Sequence, residues 1–323
     1  MQEIMKQRAS VLLQEGKVDR VLGWQAGVFV YDITPSVFTN AEDLDHGFVY
    51  NDFCGNNLSK YLVKESRKEG KVAVFLKPCD TYSFNQLIKE NRILRDKVYV
   101  IGIECGGKAD IEKIKADGIR GVTGITGEDD TYIVDTIYGS TQVSKSRVLL
   151  ERCMNCKSKK HVVYDELIGD DGEVQVTDRF DMVEKLEKMS ADERFEFWRG
   201  ELSRCIRCNA CRNVCPACTC EKCVFDNDDS GVAGKASADT FEENMYHIIR
   251  AFHVAGRCTD CGECSRVCPQ NIPLHLLNRK GIKDINEYFG AFQAGEDCEA
   301  ISPMTAFTKE DVEPGTLHTK GGN

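Results

Sequence analysis

The sequence lacks any apolar run near the ~20 residues that a membrane-spanning helix requires. Its balance of 41% hydrophobic and 29% charged residues is that of a soluble globular chain. It also lacks an excess of positive charge. A formal net charge of -10 gives no general attraction to phosphate backbones and argues against nucleic acid as a partner. At Met1-Gln2-Glu3-Ile4-Met5-Lys6 there is no basic region, apolar stretch or small-residue cleavage site of a secretory signal, so a cytoplasmic location is expected. The glycine fingerprint of dinucleotide-binding folds, the P-loop and the common nucleophile motifs are missing too. What the chain has in abundance is cysteine, 17 residues. In a reducing cytosol these thiols stay free for metals or redox chemistry instead of building a disulfide scaffold.

A length of 323 residues suggests about two domains of ordinary size. Residues 3–15 follow a helical pattern ended by Gly16, and short apolar segments at 18–22 and 27–33 read as strands. Val72 to Leu76 is a buried-type strand, 82–91 a helix and Val98 to Ile103 a second strand. This βαβ crossover implies parallel strands. A helix is expected at 111–117 and a strand at 131–138. From Asp178 the character becomes helical: Ser190-Ala191-Asp192-Glu193 matches a capping box before a helix that runs into Cys205. The polar stretch 225–237 reads as an exposed excursion. In 239–255, Phe241, Met245, Ile248, Ile249 and Phe252 recur at the spacing of one buried helix face. The expected organisation is an α/β domain with parallel strands over 1–175, a mainly α-helical dicluster ferredoxin domain over 176–294, and a tail or partner-docking arm over 295–323.

Two segments carry the firmest signal. Cys205-x2-Cys208-x2-Cys211-x3-Cys215-Pro216 and Cys258-x2-Cys261-x2-Cys264-x3-Cys268-Pro269 both have the spacing of bacterial 4Fe-4S ferredoxin motifs. Three thiolates two residues apart wrap one part of a cubane, and the proline ends that turn. The competing reading is a pair of zinc sites in a non-enzymatic scaffold, although structural zinc favours two separated cysteine pairs. With a helix between its motifs, the segment over about 190–290 resembles the helical dicluster ferredoxin domains of fumarate reductase iron-sulfur subunits and of the heterodisulfide reductase small subunit. In two-cluster ferredoxins the fourth cysteine serves the other cluster. The resemblance therefore implies Cys205, Cys208, Cys211 and Cys268 on one 4Fe-4S cluster, with Cys258, Cys261, Cys264 and Cys215 on the second.

Cys79 lies just past strand 72–76 and Cys105 just past strand 98–103. Parallel strands place their carboxyl ends on one edge, where α/β sheets bind ligands. Cys153-x2-Cys156 would complete four ligands for a third 4Fe-4S cluster. The alternative for Cys79 and Cys105 is a role as small buried hydrophobes. Lys77-Pro78-Cys79, Ile103-Glu104-Cys105-Gly106 and Cys153-x2-Cys156, followed by Tyr164 to Asp170, occur in the order seen in the deazaflavin-coenzyme-reducing hydrogenase/dehydrogenase beta-subunit family, which this part resembles over about 10–172. That resemblance implies FAD beside the cluster; Lys77 and Asp80 could meet it or merely cap a helix, and the glycine-spaced loop containing Gly121 and Gly124 could wrap a phosphate or be only a turn. The family's Gly-Gly-rich entry near the flavin is absent before Ala9.

Cys218, Cys220 and Cys223 remain and, with Cys54, would supply a fourth cluster; zinc, a redox dithiol or substitution into a neighbouring cluster are the alternatives. Cys298 is expected to be free. His253 could tune a cluster, although a surface position on its helix is the commoner outcome, and Arg204, Arg207 and Arg212 could dock an acidic carrier, balance cluster charge or simply be solvated. The expected function is an iron-sulfur electron-transfer subunit of a multi-subunit anaerobic oxidoreductase: hydrogenase, formate dehydrogenase or a heterodisulfide-reductase-linked complex, with electron bifurcation as a variant. Other subunits of such a complex, a flavoprotein among them, and soluble ferredoxin are the expected partners. The alternative is an FAD-containing reductase exchanging hydride with a deazaflavin or nicotinamide coenzyme.

Overall fold

The computed structural model describes residues 1–227 and 240–306. The excursion expected beyond residue 227 and the last part of the tail, 307–323, lie outside the described residues.

The strands are β1 (Arg20–Ala26), β2 (Ile33–Phe38), β3 (Val72–Leu76), β4 (Val98–Ile103), β5 (Val122–Glu128), β6 (Thr131–Thr136), β7 (Gly139–Ser144) and β8 (Glu166–Ile168). Five form a sheet in the order β2-β1-β3-β4-β8, in which β1, β3, β4 and β8 run parallel and β2 closes one edge antiparallel. Every residue of β3 is buried, as a strand covered on both faces must be. Helix Gln2–Gln14 contributes Met5, Ala9 and Leu12 to the core, where they join Trp24, Phe48, Phe75 and Phe84. Pro78 opens helix Pro78–Lys89, a position where its missing N–H costs no hydrogen bond.

Two expectations shift. The strand expected over 27–33 is a turn, because Gly27 N–H donates to the Asp32 carbonyl at 2.6 Å and Asp32 N–H to the Phe29 carbonyl at 2.9 Å; Val28 and Phe29 are exposed. The strand at 131–138 does not join the parallel sheet. As β6 it is the middle of a separate antiparallel sheet, β5-β6-β7, with its own core of Ile125, Tyr132, Val134 and Val143.

The helical region packs Asp181–Lys188, Ala191–Leu202, Thr240–Val254 and Leu274–Tyr288 against one another. Ser190 makes the expected capping box with Glu193. Helix Thr240–Val254 is where expected, but its orientation is opposite to the expectation. Of the five residues expected to be buried, Phe241, Met245, Ile248 and Phe252 are exposed and Ile249 packs half-buried against the helical core, whereas Glu243, Tyr246, His247, Arg250 and Val254 are buried. The apolar stripe borders an open groove shared with Trp198, Leu276 and Ile285. The polar face is turned towards the cysteine motifs.

The first described part of the tail lies on this chain's own helix Pro78–Lys89: Lys89 Nζ donates to the Ala300 carbonyl, and Cys298 Sγ is 3.9 Å from the Asn85 carbonyl. The two regions also meet through Ser83 Oγ and Thr259 Oγ1 at 2.8 Å and through Arg257–Glu90 at 2.5 Å. Among the described residues no helix is long and apolar enough to cross a membrane.

Candidate iron-sulfur sites

The two ferredoxin motifs fold the same way. In the first, Arg207 and Asn209 adopt left-handed backbone at φ 52° and 61°; at the matching positions of the second, Asp260 and Gly262 do so at 60° and 63°. Each left-handed pair bends the chain back so that the three closely spaced cysteines follow one concave wall, and a one-turn helix, Ala210–Asn213 or Glu263–Arg266, completes the loop. Asparagine tolerates this conformation and glycine adopts it freely. Glycine is required at 262 on a further ground: a Cβ there would lie 2.6 Å from Arg152 Cβ. At 209 the side chain is useful, because Asn209 Oδ1 accepts a hydrogen bond from Tyr246 O–H at 3.0 Å.

Cys205, Cys208, Cys211 and, from the other motif, Cys268 line one cavity together with Tyr246 and His247. His247 Nε2 is 3.2 Å from Cys205 Sγ. Burial, with Arg250 and Arg207 nearby, pushes the imidazole pKa down to about 3, so the ring is neutral at ordinary pH and one of its nitrogens carries a proton. Cys258, Cys261, Cys264 and Cys215 form a second set. Burial raises the first three, and the charge of Cys215 raises each further. A hydrogen bond from the Cys218 thiol draws the Cys215 pKa down.

A second cavity lies at the carboxyl edge of the parallel sheet. Cys79 stands in the first turn after β3, Cys105 follows β4, and Cys153 and Cys156 come from the short helix Glu151–Met154 and the residues after it. All four line the same cavity, which Cys261 of the second ferredoxin set also touches. Burial raises the Cys79 and Cys153 thiols and pushes Cys156 up to about 11. Thiols raised in this way need a cation to become ligands, since metal binding releases the proton. The lining is basic, with Lys77, Lys108, Arg152, Lys157, Lys159 and Arg279 against Asp260. Such a wall suits a cluster whose thiolates and sulfides leave it negatively charged.

Arg152 joins this site to the second ferredoxin set. Its guanidinium pairs with Glu263 at 2.6 Å and donates to the carbonyls of Cys261, at 2.6 Å, and Gly55. Glu263, held by Arg266 at 2.6 Å as well, is kept ionised with its pKa lowered to about 2 although it is fully buried.

The remaining candidates stand outside these three sets of cysteines. Cys54 does not join Cys218, Cys220 and Cys223: it is buried in the α/β core with its thiol 3.8 Å from the Val49 carbonyl, while Cys220 is exposed and Cys223 packs in the helical region. Lys77 and Asp80 form a buried pair at 2.7 Å beneath Cys79, and Lys77 Nζ also donates to the Asn56 carbonyl at 2.8 Å. Gly121 and Gly124 lie at the start of β5, far from its turn into β6, against Ile137 and Asp135. Lys77 lines the cysteine cavity at the sheet edge, whereas Gly121 and Gly124 belong to the separate antiparallel sheet. His253 is exposed, and His247 occupies the place expected of it. Arg204 and Arg212 are paired with Glu201 and Asp226, and Arg207 lies 4.4 Å over the Tyr246 ring.

The fold and its cysteine-lined sites define an iron-sulfur protein: a helical dicluster region joined to a parallel α/β region. Residues 201–272 match the 4Fe-4S dicluster domain. Over 331 residues the chain is 25% identical to the F420-dependent formate dehydrogenase subunit beta of Methanocaldococcus jannaschii, covering 84% of this chain and 86% of that one. It is 27% identical over 357 residues to the F420-dependent formate dehydrogenase 1 subunit beta of Methanococcus maripaludis, covering 90% and 89%. A solved structure of the F420-reducing NiFe hydrogenase complex from Methanosarcina barkeri overlaps 48% of this chain and 59% of its own, at 18% identity and a TM-score of 0.40.

Proposed function

We propose that this chain is the iron-sulfur beta subunit of a multi-subunit oxidoreductase that links a deazaflavin coenzyme to a substrate such as formate. Each bound 4Fe-4S cluster supplies a one-electron redox step. The observation that carries the reading is the grouping of twelve cysteines into three sets that touch in sequence. Cys79, Cys105, Cys153 and Cys156 share a cavity with Cys261. Cys261 lies near Cys215 and Cys258, Cys215 near Cys264, and Cys264 near Cys211 of the remaining set. The path ends at Cys208, the exposed member of its cavity, where electrons are exchanged with another protein.

The residues around the sites hold charge and exclude water. Arg152 and Glu263 fix the junction between the first two sets without adding net charge. His247 orients Cys205. The division into domains at about residues 175 and 294 belongs to this proposal, as does a cytoplasmic location.

Anaerobic iron, sulfide and flavin stoichiometry per chain tests the reading. About twelve irons are expected, four for each cubane. About eight would remove the N-terminal cluster, about sixteen would restore a fourth, and zinc without acid-labile sulfide would overturn the proposal. A flavin-dependent reading has one observation in its favour. An open cleft lined by Tyr31, Phe53, Leu150, Arg152, Arg266 and His275 runs beside the Arg152 junction. A flavin spectrum that remains after cluster bleaching would support it, and a flavin-free complex would end it.

A further inference from the structure

Arg250 is 2% exposed, and none of its three guanidinium nitrogens has a hydrogen-bond partner among the described residues. Removing a guanidinium from water without a partner is costly, and native folds seldom leave one so. Another buried arginine of the cysteine sites shows the ordinary solution: Arg152 has Glu263 and two backbone carbonyls. Arg250 has neither. The charged groups that surround it are Cys264, Cys211, Cys215 and Cys218. Cys211 belongs to the first ferredoxin set; Cys215 and Cys264 belong to the second. Tyr246 and His247, on the same helix face, line the cavity of the first set.

We propose that Arg250 is a shared redox-positioning residue of the two ferredoxin clusters, a fixed cation lying between them whose N–H groups are completed by thiolate and sulfide sulfurs. The inference rests on the assignment of those clusters. An arginine suits this place because it does not lose its proton in proteins and its planar fork can donate in two directions at once. When a cluster takes up one electron its charge becomes more negative by one; no bond forms or breaks, and the guanidinium keeps its protons. A fixed positive charge beside both clusters stabilises both reduced states and raises both reduction potentials. The helix Thr240–Val254 is inverted relative to its hydrophobic pattern for this reason: the face carrying Arg250 and His247 is the one the clusters require.

The test uses the full chain, reconstituted anaerobically, with iron and sulfide measured first and midpoint potentials then read by EPR-monitored redox titration. The variants are Arg250→Met, Arg250→Gln and Arg250→Lys. The expected result is full iron content with both ferredoxin potentials lowered in the Met and Gln variants by at least about 59 mV, the equivalent of a tenfold change in a one-electron equilibrium. Lysine restores more than half of the shift, and the potential of the Cys79, Cys105, Cys153 and Cys156 site stays unchanged. If Met and Gln prevent cluster assembly while Lys permits it, the requirement for charge is equally established. Unchanged potentials in fully loaded Met and Gln variants would overturn the proposal, as would lysine behaving like glutamine or all three variants losing iron together. Wild-type chain that takes up no iron would fail the cluster assignment itself, before the variants are compared.

Discussion

The α/β region and the helical region hold their cysteines in different ways. The sheet rests on a core of aliphatic and aromatic side chains, including Met5, Leu12, Trp24, Phe48, Phe75, Phe84 and Ile101, in which Cys54 is the single cysteine. Cys79 and Cys105 stand at the edge of that core, on strand ends fixed by β-pairing. The main core of the helical region is small, and two of its members, Cys211 and Cys264, are ligand candidates themselves. In one region the cysteines are added to a finished scaffold; in the other they are part of the scaffold. A bound cluster that exists only in the folded state contributes its binding free energy to folding, so the helical region is expected to depend on iron more than the sheet does.

Iron removal is the largest test of that contrast. Anaerobic chelation should release helix Thr240–Val254 to rapid amide exchange while β3 and β4 stay protected, as read by hydrogen exchange with mass spectrometry. Equal loss in β3 would show that the contacts Ser83–Thr259, Arg257–Glu90 and Arg152–Glu263 make the two regions one folding unit.

Single ligand changes sharpen the comparison. Cys105→Ser should cost about four of about twelve irons and leave both ferredoxin EPR signals in place. Cys264→Ser should remove one ferredoxin cluster and leave the N-terminal signal. Loss of all signals from Cys264→Ser would again mean one cooperative unit. A smaller effect follows from apolar substitution. Phe75→Ala, in a fully buried strand, should cost about 3–5 kcal/mol of local stability. Phe252→Ala, on the outward face of Thr240–Val254, should change it by no more than about 0.5 kcal/mol. Exchange of β3 and helix amides in iron-loaded protein measures both. A large cost at Phe252 would mean that the apolar stripe is a core face after all.

That last pair shows where the sequence is legible and where it is not. β3, β4 and the convergence of Cys79 with Cys105 could be read because apolar runs and parallel topology act locally and carry their own pattern. The two ferredoxin motifs could be read because ligand spacing is written along the chain. Helix Thr240–Val254 was legible in extent but not in direction, since hydrophobic periodicity assumes that the buried environment is apolar. Here it is lined by thiols, and the residues that meet them are Tyr246, His247 and Arg250. The signal available was the recurrence of Glu243, Tyr246, His247 and Arg250 at helical spacing opposite the apolar stripe. The Arg152–Glu263 junction joins residues 111 positions apart, and Cys54 fell into the core for reasons of packing alone. Neither has a local signature.

The smallest effect tests a feature of the helical region that needs no iron. Ser190 Oγ accepts a hydrogen bond from Glu193 N–H at 3.3 Å, and Glu193 Oε2 accepts from Ser190 N–H at 2.9 Å. The two satisfy donors that a helix start leaves open. Ser190→Ala should therefore cost ~1 kcal/mol of stability in helix Ala191–Leu202, measured by exchange of its first-turn amides. The backbone hydrogen bond from Ser190 holds the Glu193 carboxyl below its usual value of 4.5, and the Ser190 hydroxyl, which donates to Glu193 Oε2 at 2.8 Å and is lost in the alanine variant, lowers it further. A group with a lowered folded pKa stabilises fully above its unfolded value and loses that contribution as pH falls through the folded one. The gap between wild type and Ser190→Ala should thus be widest above pH 4.5 and narrow on further acidification. A gap that is constant with pH would leave the hydroxyl alone as the cap. The helix would then lead into Cys205 without help from its carboxylate, and even this local support would be independent of charge.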